Sequence, residues 1–329
     1  MPDYQALLVL SFGGPEQRED VIPFLENVLR GRNVPRERLL AVAEHYYHFG
    51  GRSPINDQNR ALIAALGEEF ARHRVRLPVY WGNRNWHPFL ADTLRRMQAD
   101  GIGRALVYVT SAFGSYSGCR QYIDDMDYAR AAAGPVAPVL DKLPGFHNHP
   151  GFVATVADRV AGALHRVPCE RLAEATLVFT AHSIPTAMAE ASPYLAQLRE
   201  ACALVAQRLG EPRWMLAFQS RSGPPSQPWL GPDILDVLRR VREDRGPGAD
   251  IVVSPIGFVS DHMEVLYDLD TEAAALAGQL GLNLYRAGTP GIHPRFVSMI
   301  RELVEAQLAA PVAYICREGC CPPGRRPGA

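Results

Sequence analysis

The sequence predicts an α/β chain of two similar Rossmann-like domains, each a four-stranded parallel sheet flanked by helices. Three observations carry this. Short β-rich apolar runs alternate with longer amphipathic stretches, the signature of βαβ units around a parallel sheet. The runs fall into two series of four. Between the series lies GFHNHPGF at 145–152, a Gly-, Pro- and His-rich stretch that interrupts both periodicities. The domains are accordingly expected at 1–148 and 149–310, followed by a Cys-rich tail at 311–329, with the last helix free to pack back on the first domain.

In chain order, the first strand is expected at 6–12, a short apolar run. A helix follows at 57–74, with Ala61, Leu62, Ala65, Leu66 and Phe70 on one face. Strands at 78–82, 104–112 and 136–140 complete the first series, and strands at 176–181, 214–219, 251–257 and 284–287 form the second. A helix at 296–309 closes the globular part. In open parallel sheets the ligand crevice lies beyond the carboxyl ends of the strands. Those ends carry Ser11-Phe12-Gly13-Gly14, Asn83-Arg84-Asn85-Trp86-His87 and Phe113-Gly114-Ser115-Tyr116 in the first half, and Ala181-His182-Ser183, Gln219-Ser220-Arg221 and Gly257-Phe258-Val259 in the second. Aromatic, small and polar groups at one rim suit a flat, largely apolar ligand with polar substituents.

Composition narrows the function classes. The net charge is 34 − 35 = −1, which gives no reason to expect a nucleic-acid partner. No apolar run reaches the length of a membrane span, and the first residues lack the basic region and cleavage site of a signal peptide, so a cytoplasmic protein is expected. Lys142 is the sole lysine, so a lysine phosphate loop or a Schiff base has no residue to use elsewhere. Six cysteines make no dense disulfide framework; Cys169 and Cys202 read as buried small side chains.

The stretch SPIGFVSDHMEVLYDLDTE at 254–272 reads as strand, turn and helix. Glu264, Asp268 and Glu272 recur every four residues, which on an α-helix stacks three carboxylates on one face about 6 Å apart along the axis. Like charges at that spacing repel, so the ladder is either a solvated face or a path for cations. His182 follows the first strand of the second half, and Glu264 opens the helix after the third. In the flavodoxin-like order 2-1-3-4 those strands are neighbours, and an imidazole meets a carboxylate across 82 residues of sequence.

These residues resemble the ferrochelatase family, the enzymes that insert ferrous iron into a porphyrin. The matching blocks are LLVLSFGGP at 7–15, HYYHFGGRSPIN at 45–56, TAHSIP at 180–185, FQSRSGPPSQPWLGPD at 218–233 and PIGFVSDHMEVLYDLDTE at 255–272. The resemblance implies two chelatase-type domains with the porphyrin in the cleft between them. It carries over His182 and Glu264 as the catalytic pair, and with Asp268 and Glu272 as metal-handling groups. It implies porphyrin contacts at Phe12, Arg30, Ser53, Tyr116 and Ser220, with Arg52, Arg84 and Tyr46 suited by chemistry. Phe12 stands where family members of the Gram-positive type carry a tyrosine, so an axial oxygen from that side is not expected. The likeness to the actinobacterial branch implies coproporphyrin III as substrate and coproheme as product; protoporphyrin IX, another metal, or a non-enzymatic heme or porphyrin carrier are the alternatives. Cys119 resembles the internal ligand of the cluster-bearing members, and Cys316, Cys320 and Cys321 complete a set of four for a [2Fe–2S] cluster. Four thiolates would also hold zinc, and an unliganded tail with vicinal thiols is the plain alternative. Partners beyond porphyrin and Fe(II) are expected to be transient contacts with other heme-pathway enzymes, and the chain is expected to be a monomer.

Overall fold

The run Ala6–Ser11 (β1) is buried at every position because it lies between two neighbours in a parallel sheet. Those neighbours are Val79–Asn83 (β2) and Arg104–Val109 (β3), and Val139–Lys142 (β4) pairs with the outer side of β3. The order is β2-β1-β3-β4, all parallel. The second sheet repeats it: Thr176–His182 (β5), Trp214–Gln219 (β6), Asp250–Ser254 (β7) and Asn283–Arg286 (β8) stand in the order β6-β5-β7-β8. The computed structural model describes residues 3–31, 34–211, 213–223, 226–312, 314 and 321.

The chain divides into two compact units. One comprises Met1–Ser111, Tyr116–Gly145 and the described residues from Val297 onward; the other comprises Ala112–Ser115 and Phe146–Phe296. In the first, Leu8, Leu10, Leu94, Met97, Val107 and Val109 form one apolar cluster, and Val21, Phe24, Leu25 and Leu39 form another that Phe12, Tyr46 and Trp86 cover. In the second, Val178, Val237, Ile251, Val253, Val265 and Leu269 share a core. Residues 112–115 join the second unit because the Phe113 ring packs 6.2 Å from Phe152 and 6.3 Å from Tyr194, and Gly114 N–H donates to Gln197 at 2.7 Å. No described helix is long and apolar enough to cross a membrane.

Three strands end or begin more than one residue away from the expected positions. β3 stops at Val109 and β7 at Ser254, where Pro255 has no N–H to offer a ladder. Gly257 then turns back on β5: its N–H donates to Thr180 O at 3.0 Å, and a Cβ there would lie 2.6 Å from Ala181 Cα. Only glycine allows that approach. β4 begins at Val139, three residues after the expected start at 136, because Ala137 closes a turn on Gly134 and Pro138 cannot donate.

The last helix, Pro294–Ala309, is tied to Ile55–His73 by one buried carboxylate. Glu69, 4% exposed, accepts from Ser298 and from Arg301, each at 2.9 Å. Burial alone would raise its pKa, but the Arg301 and Ser298 hydrogen bonds and nearby cations outweigh it and hold it below the ordinary value. Its contribution to stability is therefore complete above the unfolded carboxylate pKa and is lost as pH falls through the lower folded value. Glu69→Ala is expected to destabilise the fold by about 3 kcal/mol, the low end for one partner lost from a buried pair, because Arg301 keeps Glu305. Denaturant unfolding measures this; a loss under about 1 kcal/mol would show the pair to be dispensable.

Candidate active site

The strand order brings the second-half residues together. β5 lies between β6 and β7, so the carboxyl end of β5 is the switch point of the sheet, where crevices open. His182 is the last residue of β5 and Glu264 stands in the first turn after β7. Their side chains approach to 3.7 Å, His182 Nε2 to Glu264 Oε2, with 31% and 50% of their surfaces exposed. The ring orientation is set from its other side, where Nδ1 lies against the Ser183 carbonyl. A carbonyl only accepts, so Nδ1 carries the proton and Nε2 of the neutral ring presents a lone pair toward Glu264. Tyr194 O–H donates to the His182 carbonyl at 2.9 Å and fixes the backbone.

The acidic helix differs from the expected regular α-helix. It starts as one α turn, Met263–Val265, widens to a π-helix over Leu266–Ala273, and resumes as α over Ala274–Gln279. A four-residue repeat drifts about 40° per step around an α-helix of 3.6 residues per turn. The wider π turn counters that drift, so the acid row 264, 268, 272 and the buried row Val265, Leu269, Ala273, Ala277 each stay on one side. Such π segments are rare and cluster at functional sites. The strict period of four in both rows was the sequence signal for it.

The acids are graded in environment. Glu264 and Glu272 are exposed, whereas Asp268 is half-buried and accepts from Ser220 Oγ and, at 3.2 Å, from Gln219 Nε2. Burial, reinforced by the charges of Glu264 and Glu272, pushes the Asp268 carboxyl up to about 7, although the Ser220 and Gln219 hydrogen bonds oppose it. Burial and the charge of Asp233 raise Glu272 as well. For His182, burial disfavours the cation, but the Glu264 charge and hydrogen bond, the Ser183 carbonyl and Asp268 outweigh it, and the net direction is upward. His262 is a neighbour that the sequence reading missed. Its Nδ1 accepts the Val265 N–H at 3.4 Å and caps the helix, its ring stands edge-on to Phe258, and burial lowers its pKa, with the His182 charge adding and Glu264 opposing. Among the described residues, no three His, Cys, Asp or Glu side chains converge closely enough to cage a metal ion.

The remaining predicted contacts have these positions. Ser220 sits at φ 61°, left-handed for a non-glycine residue, and that backbone turns its hydroxyl onto Asp268. Phe12 follows β1, half-buried, 6.2 Å edge-on from Phe24. Arg30 is exposed and donates to Asn27 Oδ1. Ser53 is buried with its N–H on Pro15 O at 2.8 Å, and Tyr116 opens a π turn, Tyr116–Arg120, half-buried. Arg52 pairs with Asp57, Tyr46 packs on Phe24, and Arg84 is committed to Asp125 and to the Tyr122 ring, so its charge is already matched.

Cys119 is buried in that π turn, and its Sγ lies 2.9 Å from the Tyr314 hydroxyl. The Lys142 ammonium stands 3.9 Å from the centre of the Tyr314 ring. Cys321 is half-buried, and Cys316 and Cys320 lie outside the described residues. Cys202 is buried as expected. Cys169 is exposed instead, in the loop after the helix Pro150–Leu164, where its thiol reaches Glu170 at 3.4 Å.

Comparison with known proteins places the chain in a family. Residues 4–308 match the family profile described as Ferrochelatase. The chain is 52% identical over 332 residues to a ferrochelatase of Rhodopirellula baltica, covering 98% of this chain and 94% of that protein. It is 50% identical over 349 residues to the coproporphyrin III ferrochelatase of Nocardia farcinica, covering 99% and 98%. Among solved structures, SirB from Bacillus subtilis with Fe3+ shares the fold at a TM-score of 0.59 and 12% identity, covering 95% of this chain and 100% of that one. CbiX, described as the terminal enzyme for biosynthesis of siroheme in denitrifying bacteria, does so at 0.54 and 17%, covering 92% and 99%. With a family match along nearly its whole length and half its residues shared with full-length relatives, the chain belongs to the ferrochelatases, the enzymes that insert iron into a porphyrin.

Proposed function

We propose that the protein inserts Fe(II) into coproporphyrin III to give coproheme, with His182 and Glu264 at the reacting centre. The observation that carries the assignment of roles is the 3.7 Å approach of these two side chains at a sheet switch point. Metallation exchanges two pyrrole N–H protons for one dication. The Nε2 lone pair of His182 accepts the two ring protons one after the other, releasing each to solvent before the next, and the Glu264 carboxylate stabilises the imidazolium that forms each time and receives the ion. Asp268 and Glu272 are the outer steps by which a hydrated divalent ion exchanges water for carboxylate oxygen on its way in. A porphyrin carrier has no use for such a row.

Coproporphyrin as substrate is supported by the relatives of that name at about half identity over nearly full length. Anaerobic turnover of coproporphyrin III and protoporphyrin IX side by side tests it: faster insertion into coproporphyrin is the expected result, and a clear preference for protoporphyrin would reverse the assignment. The reaction is assigned to a cytoplasmic monomer that hands its product to the next heme-pathway enzyme.

The graded acids predict a pH dependence. Asp268 holds its proton below about pH 7 and becomes a metal ligand above it. Under limiting iron, kcat/KM for Fe(II) is therefore expected to rise between about pH 6 and about pH 8, and Asp268→Asn to flatten that rise. An Asp268→Asn profile with the same inflection would assign the titration to another group.

Cys119, Cys316, Cys320 and Cys321 are assigned to a [2Fe–2S] cluster. The fit is chemical: Cys119 is a buried thiol with the Tyr314 hydroxyl against its sulfur, and the sole lysine of the chain stands over the Tyr314 ring. Tyr314 precedes Cys316 by two residues, at most about 7 Å of extended chain. The four thiolates would anchor the cluster; porphyrin metallation involves no net redox change, so its role is structural or sensory.

A further inference from the structure

One buried residue is tied through its backbone to the strand end that carries His182 and through its side chain to the acid row. Gln219 ends β6, is 1% exposed, and pairs with His182 in the sheet register. Its carbonyl accepts the Ser183 N–H at 2.8 Å, next to the carbonyl that orients the His182 ring. Its amide Nε2 donates to the Glu264 carbonyl and to Asp268 Oδ2, each at 3.2 Å. The first contact grips the backbone where the helix is about to widen, and the second grips a side chain inside the π segment. Two acceptors on one nitrogen fix which end of the amide carries the hydrogens. The other end, Oε1, is buried and has no partner among the described residues. Leaving an acceptor orphaned is costly, so the residue is held in place for what its donor end does.

A π turn is uncommon because its backbone bonding is less favourable than that of an α turn, and it persists where surrounding contacts hold it. Arg286, at the end of β8, holds the opposite side through Asp270 and Asp261, at 2.6 and 3.1 Å. Arg286 contacts no member of the acid row, whereas Gln219 contacts two.

We propose that Gln219 is a positioning residue that keeps the π segment in phase with His182, and that it acts on the meeting with ferrous iron and not on porphyrin binding. The proposal rests on the reading of Glu264 and Asp268 as metal-handling groups. Gln219→Met keeps the length of the side chain and removes both donors. Its expected signature is a KM for Fe(II) raised about tenfold, with the porphyrin KM and porphyrin affinity by fluorescence quenching changed less than about twofold. Amide hydrogen exchange at 266–273 is expected to accelerate in the same variant. Gln219→Glu, equal in shape but presenting an acceptor to two acceptors, is expected to raise the Fe(II) KM further, and it serves if the Met variant does not fold. An unchanged Fe(II) KM, or equal losses for iron and porphyrin, overturns the proposal. Glu264→Gln runs in parallel. If it retains full insertion, the reading of the acid row is at fault; if it loses insertion while Gln219→Met keeps the wild-type iron dependence, only the positioning role falls.

Discussion

Replacing His182 by alanine is expected to lower the rate of iron insertion by on the order of 10²- to 10⁴-fold, the range for removing a positioned general base. Nδ1 is occupied by the Ser183 carbonyl, so the reactive nitrogen is Nε2, and it faces Glu264 at 3.7 Å. Glu264 and Asp268 raise the His182 pKa against the effect of burial, which makes the neutral ring a stronger proton acceptor. Below that raised pKa the ring is already protonated and cannot take a pyrrole proton, so the wild-type rate is expected to fall toward acid. Single-turnover formation of the metallated porphyrin, followed by its visible spectrum under anaerobic conditions, measures the loss. Porphyrin binding is expected to survive in the variant, because the side chain contributes a base and not a binding surface. If His182→Ala keeps more than about a tenth of the wild-type rate, the proton acceptor lies elsewhere, and His262 is the next candidate by proximity.

The second large effect is all-or-none. Protein purified without oxygen is expected to show visible absorbance from a [2Fe–2S] cluster with two irons per chain, and Cys119→Ser or Cys316→Ser to abolish both. A colourless protein carrying one zinc per chain would assign the same four thiolates to a structural metal. A metal-free preparation with four titratable thiols at these positions would remove the cofactor altogether.

How much of this the sequence carried varies from residue to residue. The eight strands were legible because short apolar runs bounded by Gly and Pro have few other readings. The end of β3 and the start of β4 were misplaced because Pro138 and the loop after Val109 obey turn chemistry that hydrophobicity does not reveal. His182 and Glu264 could be paired in advance only by assuming a strand order, and the order β6-β5-β7-β8 is that one. Arg84 illustrates the reverse. In sequence it is a strand-end arginine suited to a carboxylate ligand, and in the fold Asp125 and Tyr122 already occupy it.

The sequence by itself determined which chemical groups are present and their linear spacing: one strand-end imidazole, three acids at intervals of four, a sole lysine and a cysteine-rich tail. Covalent order and side-chain type suffice for that. Tertiary structure alone decided that Gln219 and Ser220 grip Asp268 and that burial drives this one carboxyl up to about 7. Those properties depend on desolvation and on donors from β6, some fifty residues away along the chain, and no local pattern encodes either.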